Sequence, residues 1–214
     1  MSLLPKTVSE ALRLIENAEA AHADLIEIRL DSLEKLSGLA DLAAHGKTPK
    51  IATDKSARAE TERQQRLLSA AKSGFEYVDA ELSTPRIEDL VKELKALGVK
   101  PIVSFHKFDG SLNTSELNSV LEREISSGAE VCKIVTTAKR MEDNLTALNF
   151  TSAASSKAKL VCFCMGDLGK VSRLLSPLFG GFFTFASLEQ GSETASGQIT
   201  IQEMKAAYAL LRQK

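Results

Sequence analysis

Short apolar runs rich in β-branched residues recur along this chain, with amphipathic segments between them. The runs are LIEIRL (from Leu25), KIAT (from Lys50), YVDAEL (from Tyr77), PIVSFH (from Pro101), VCKIV (from Val131), LVCFCM (from Leu160) and FFTFAS (from Phe182). They begin roughly 25 to 30 residues apart, the length of one strand and a covering helix. Strand–helix alternation of this regularity leaves few folds open, because successive strands joined by helices lie parallel and need both faces covered.

The intervening segments carry recognisable helix ends. Thr7 and Glu10, Asn113 and Glu116, and Thr200 and Glu203 each have capping-box spacing ahead of an apolar stripe. Thr84 and Pro85 read as N-cap and first residue of another helix, with Gly98 as its stop. Seven runs plus a stub near Ser2 to Leu4 predict an α/β fold, a single-domain (β/α)8 TIM barrel over residues 1–214. An open doubly wound sheet is the alternative, but no G-x-G-x-x-G follows the first run.

Composition narrows the function classes. A formal net charge of −1 with interspersed signs offers no basic stripe for nucleic acid. No segment approaches a membrane span, and Leu3 and Leu4 are too few for a signal peptide. Three cysteines fit a reduced, cytoplasmic compartment; Cys162 and Cys164 lack further ligands for a metal and read as small buried hydrophobes. Apolar residues on the late helices leave room for a homodimer interface without separating it from core.

Several strands carry polar groups that packing alone does not select. The period of two puts Glu27, Arg29 and Asp31 on one strand face, Asp79 and Glu81 on another, and Ser104 and His106 on a third. Glu27 and Arg29 form either a charge network low in the barrel or part of a site at its mouth. His106 is either a satisfied core histidine or a functional base. Lys133 interrupts a run that is otherwise apolar, and a buried ammonium is costly without a partner or a chemical role. Lys133 and His106 end neighbouring strands, where side chains of a barrel converge. An amine and an imidazole are the equipment for Schiff-base chemistry with proton transfer at the adjacent carbon.

Six motifs in order also resemble type I 3-dehydroquinate dehydratase, particularly its shorter, archaeal-like members. They are ADLIEIRLD, YVDAEL, IVSFHKF, AEVCKIVTTA, MGDLGKVSRLLSPLFG and SETASGQIT. The resemblance implies a catalytic barrel that dehydrates 3-dehydroquinate in the shikimate pathway of aromatic amino-acid biosynthesis, a lyase needing no cofactor or metal. It implies Lys133 as the Schiff-base lysine and His106 as general acid and base. It implies Glu27, Arg29, Lys55, Arg173, Thr194 and Gln198 as substrate contacts, with Arg173 on the carboxylate. Three departures stand out. Lys55 replaces an arginine, Ala59 falls where a carboxylate orients the histidine (with Glu60 next to it), and Thr194 and Ser196 replace a serine and a proline. A class I Schiff-base aldolase is the alternative enzyme, although no basic residue lies between Phe179 and Gln198 to hold a phosphate. A non-catalytic ligand-binding barrel is the alternative outside catalysis.

Overall fold

The computed structural model describes residues 1–211, in which seven parallel strands pair in chain order. They are β1 (Ser2–Leu3), β2 (Ile26–Arg29), β3 (Lys50–Thr53), β4 (Tyr77–Glu81), β5 (Lys100–His106), β6 (Val131–Thr137) and β7 (Lys159–Met165). The helices between and after them are α1 (Val8–Ala20), α2 (Leu39–Ala44), α3 (Glu60–Lys72), α4 (Ile87–Ala96), α5 (Thr114–Ser126), α6 (Glu142–Ala154), α7 (Lys170–Leu175) and α8 (Ile201–Leu211). Among the described residues no helix is long and apolar enough to cross a membrane.

The strand period of two sorts side chains into two cores. Ile26, Ile28, Val78, Val103, Cys132, Ile134, Leu160, Cys162 and Cys164 join the helices in the outer layer. Ile51, Tyr77, Ile102, Val131 and Val161 fill a smaller inner cluster with Phe163 and Phe185. The inner residues one pleat further along are Thr53, Asp79, Ser104 and Lys133, all buried. The lower interior is therefore apolar from β3 to β7, while on β1 and β2 the buried Ser2 and Glu27 bring polarity to the level of Ile51.

The strand expected over Phe182–Ser187 does not form. Its Phe182 N–H donates to the Leu160 carbonyl of β7 at 2.7 Å, and its Ala186 carbonyl accepts from the Ser2 N–H of β1 at 3.1 Å. Ser187 makes an isolated parallel bridge with Thr200. The segment thus spans from β7 to β1 through single bonds. β1 is the two-residue stub expected near Ser2 to Leu4, and it is followed closely by Pro5, which has no N–H to extend a ladder. Side-chain alternation survives without the ladder: Phe183 and Phe185 join the inner cluster, and Phe182 is partly exposed.

Three of the four expected helix starts have the cap that sequence spacing implies. Thr7 Oγ1 accepts from Glu10 N–H at 3.1 Å, Asn113 and Glu116 form a reciprocal box, and Thr200 Oγ1 accepts from Glu203 N–H at 3.2 Å. The exception is α4, which begins at Ile87 after a left-handed Arg86 (φ 56°). Thr84 donates its N–H to the Glu81 carbonyl at 2.9 Å, so Thr84 and Pro85 belong to the turn leaving β4.

Glu124 is the one residue of α5 that contradicts its surroundings. It is fully buried beside Leu117, Val120 and Leu121, and neither carboxyl oxygen has a hydrogen-bond partner. The Lys133 backbone N–H approaches from β6 without completing a bond. Burial, and then the charges of Asp79 and Glu81, hold its pKa well above the usual carboxylate range. The folded protein therefore keeps a proton that the unfolded chain releases, so this site lowers stability as pH rises above the ordinary carboxylate value. Glu124→Leu should raise stability at pH 8 by on the order of 1–3 kcal/mol. The gain should shrink at pH 4, which paired denaturant titrations would measure.

Candidate active site

At the C-terminal ends of the strands the inner face opens into a cavity of about 360 Å³. Its volume is in the range of small-molecule sites. Glu27, Arg29, Lys55, His106, Lys133, Arg173, Thr194 and Gln198 all line it, together with Glu81, Phe163 and Phe185.

Lys133 sits lowest of the reactive groups and is only 5% exposed. Its ammonium donates to Asp79 Oδ2 at 2.7 Å, lies 4.0 Å from Glu27 Oε1, and stands 4.4 Å over the Phe185 ring. The presence of a lysine inside an apolar strand has a geometric reason. β6 turns Cys132, Ile134 and Thr136 towards the helices, whereas Val131, Lys133 and Val135 face inward. Burial disfavours the Asp79 carboxylate, but the ammonium groups of Lys133 and Lys55 outweigh it and hold its pKa far below the usual range.

Lys55 leaves β3 through the following loop and enters the same network. Its Nζ donates to Asp79 Oδ1 at 2.9 Å, to Ser104 Oγ at 3.0 Å, and to Glu81 Oε1. Ser104 in turn donates to Asp79 Oδ1 at 2.6 Å. An ammonium has three protons, so every Lys55 donor has a protein acceptor.

His106 ends β5, opposite Val135 of β6 in the strand register, while Lys133 is opposite Ser104. The imidazole is thus one pleat nearer the mouth than the amine. Glu81 Oε1 comes within 2.8 Å of His106 Nδ1, off the line of the N–H, so the contact has ion-pair distance without hydrogen-bond alignment. Phe108 stacks against the ring at 5.9 Å between centroids. Burial lowers the His106 pKa; Glu81 opposes this, and Lys55 and Lys133 reinforce it. These surroundings favour the uncharged imidazole.

The remaining polar groups are held by partners of their own. Glu27 accepts from Ser2 Oγ and, at 2.9 Å, from Thr53 Oγ1. Arg29 grips Asp31 through two bonds of 2.8 and 2.7 Å, which fixes the plane of its guanidinium. Arg173 is 2% exposed and lies 4.5 Å over the Phe163 ring; its Nη2 donates to the Ser196 carbonyl at 3.2 Å, and its Nε has no partner. Burial pushes its pKa down to about 10. A buried guanidinium with an open donor and no carboxylate beside it has the capacity to hold an anion.

Another wall of the cavity is the loop carrying Thr194 and Gln198. Gln198 Oε1 accepts from Thr194 N–H at 2.8 Å, and its amide donates to Thr194 Oγ1 at 3.0 Å. The loop docks on the end of β7 through Gly166 N–H to Ser196 O at 3.1 Å. Gly197 is required there: its φ is +76°, and a Cβ would lie 2.2 Å from the Gly166 carbonyl.

The sequence names the cavity residues but leaves Asp79, Glu81 and Ser104 without partners. Their shared strand faces follow from parity; the register that sets Glu81 beside Ser104 and His106 does not. Glu60, next to Ala59 and so a candidate to orient the histidine, pairs instead with Arg63 one turn along α3.

A family model for type I 3-dehydroquinase matches residues 1–214. A 3-dehydroquinate dehydratase from Dehalococcoides mccartyi is 38% identical over 149 residues, 70% of this chain and 66% of that protein. This match therefore spans just under two thirds of the relative's length. The 3-dehydroquinate dehydratase of Methanococcus maripaludis is 31% identical over 218 residues, covering 98% of this chain and 97% of the relative. The crystal structure of 3-dehydroquinate dehydratase from Geobacillus kaustophilus superposes with a TM-score of 0.91 at 27% identity, covering 99% of this chain and 89% of that one. The seven-stranded parallel barrel, the cavity at its strand ends and these matches agree, and the chain belongs to the type I 3-dehydroquinase family of hydro-lyases.

Proposed function

We propose that residues 1–214 form one catalytic barrel that dehydrates 3-dehydroquinate to 3-dehydroshikimate, a cytoplasmic step of aromatic amino-acid biosynthesis. The observation carrying this reading is the placement of Lys133 and His106 in one cavity with Arg173. A ring ketone, an adjacent C–H and a carboxylate are the three features that such a cavity addresses.

In this mechanism Arg173 takes the carboxylate through its open Nε, while Glu27, Arg29, Thr194 and Gln198 hold the ring hydroxyls. Neutral His106 accepts a proton from Lys133, and the free amine adds to the ketone carbon. The carbinolamine oxygen leaves as water with the proton His106 returns, giving a protonated imine on Nζ. That cation is an electron sink, so the neighbouring C–H becomes acidic enough for the imidazole to remove. The resulting enamine expels the hydroxyl on the carboxylate-bearing carbon, again as water with the His106 proton. Water then hydrolyses the conjugated imine, releasing the product and restoring the Lys133 ammonium. The sum is loss of one water, with both side chains regenerated.

The aldolase alternative gains no support from the cavity wall. The loop above it offers Thr194, Ala195, Ser196 and Gln198, not the basic residues a sugar phosphate needs.

Borohydride added during turnover of 3-dehydroquinate should leave a reduced adduct on the Lys133 peptide by mass spectrometry; an unmodified peptide would count against this chemistry. His106→Ala should still trap the adduct while losing on the order of 10²–10⁴-fold in dehydration rate. Arg173→Gln should raise KM by roughly 10–100-fold with a smaller effect on kcat. Because the His106 pKa is lowered, the base stays unprotonated to more acidic pH than a free imidazole. The acid limb of the kcat profile should accordingly fall below about pH 6.5.

A further inference from the structure

We propose that Glu81 is the positioning residue for His106, and that Lys55 is the strut holding Glu81 in place rather than a substrate contact. The proposal rests on His106 acting as the base, as in the function proposed above.

Glu81 is the last residue of β4 and pairs in register with Ser104 of β5, two residues before His106 on the same inner face. Among the described residues it is the one carboxylate within ion-pair distance of the ring, at 2.8 Å from Nδ1. A carboxylate on Nδ1 favours the tautomer with the proton there, which leaves Nε2 unprotonated for a ligand in the cavity. The off-line resting contact needs only a small rotation to align, a common feature of sites before substrate binds. The carboxylates after β3 are engaged elsewhere: Asp54 pairs with Arg66 and accepts from Ser56, Glu60 pairs with Arg63, and Ala59 has no carboxylate.

Lys55 supplies the constraint. It bonds the same Glu81 oxygen that faces His106, and its other two protons go to Asp79 and Ser104 on strands β4 and β5. With no donor left, it has nothing to offer a ligand unless the network breaks. Its buried charge also compensates Asp79 and Glu81. Burial opposes the Glu81 carboxylate, yet Lys55 chiefly, and then His106, draw its pKa down to about 2.

The charges facing His106 are Glu81 and Asp79 from β4, Lys55 from the loop after β3, and Lys133 from β6. Nearby Lys107 is engaged with Asp109 at 3.0 Å on the surface. Glu81 favours the imidazolium and Lys55 disfavours it, so removing each should move the titration in opposite directions. Glu81→Gln should lower the His106 pKa, and Lys55→Gln should raise it.

The test is an NMR titration of the His106 ring protons in wild type, Glu81→Gln and Lys55→Gln, without substrate. Alongside it, kcat, KM and borohydride trapping would be measured with 3-dehydroquinate. Glu81→Gln should still trap the imine as a reduced adduct on Lys133, lose roughly 10–100-fold in kcat, and change KM by less than about threefold. Lys55→Gln should also leave KM within about threefold. An unmoved His106 titration in Glu81→Gln would overturn the proposal even if activity fell, because that outcome marks a structural role. A tenfold or greater rise in KM for Lys55→Gln without a shift in titration would place Lys55 on the substrate, which also overturns it. Should Glu81→Gln fail to fold, the direction of the Lys55→Gln shift decides. Failure of wild type to trap an imine would instead reject the lysine chemistry, leaving the titration to decide on Glu81.

Discussion

The site depends on the buried pairing of Lys133 with Asp79, 2.7 Å apart across the barrel interior. Desolvating both charges is costly, and such a pair persists only when its remaining hydrogen-bonding capacity is met. Here Ser104 and Lys55 satisfy the other Asp79 oxygen, and Glu27 and Phe185 flank the ammonium. The residues named for chemistry and the residues named for support are thus one electrostatic structure. Removing a charged member leaves another buried charge without its complement.

That structure is layered by the strand period. Thr53, Asp79, Ser104 and Lys133 follow the lower apolar residues of their strands, Glu81, His106 and Arg29 stand above them, and the apolar cluster continues up the β6–β7 side through Val135, Phe163 and Met165. Lys55 bonds both Asp79 and Glu81, so the two carboxylates of β4 share one ammonium between them. This arrangement favours the uncharged imidazole and pairs the amine with Asp79.

Much of the fold was legible because its signals are local. Strand spacing and capping boxes at Thr7, Asn113 and Thr200 need only a few residues each. What failed was the FFTFAS run, whose composition is that of a strand but whose neighbour β1 offers two residues and then, after Leu4, Pro5. In the site, the face shared by Asp79 and Glu81 followed from parity, as did that of Ser104 and His106. Which carboxylate meets the imidazole depends on the stagger between β4 and β5, a property of the assembled sheet that no single strand encodes. The surroundings of Lys55 were hidden for the same reason. Its charge matched a binding residue, while its reach to Asp79, Glu81 and Ser104 is visible only in space.

Arg173 touches both the open side of the cavity and the Ser196 carbonyl of the covering loop. An anion arriving at its free Nε would meet a guanidinium already tied to that loop. Ligand capture and loop position therefore share one rigid plane of atoms. An anion held at Nε would thus be joined to the Ser196 carbonyl through the atoms of one side chain.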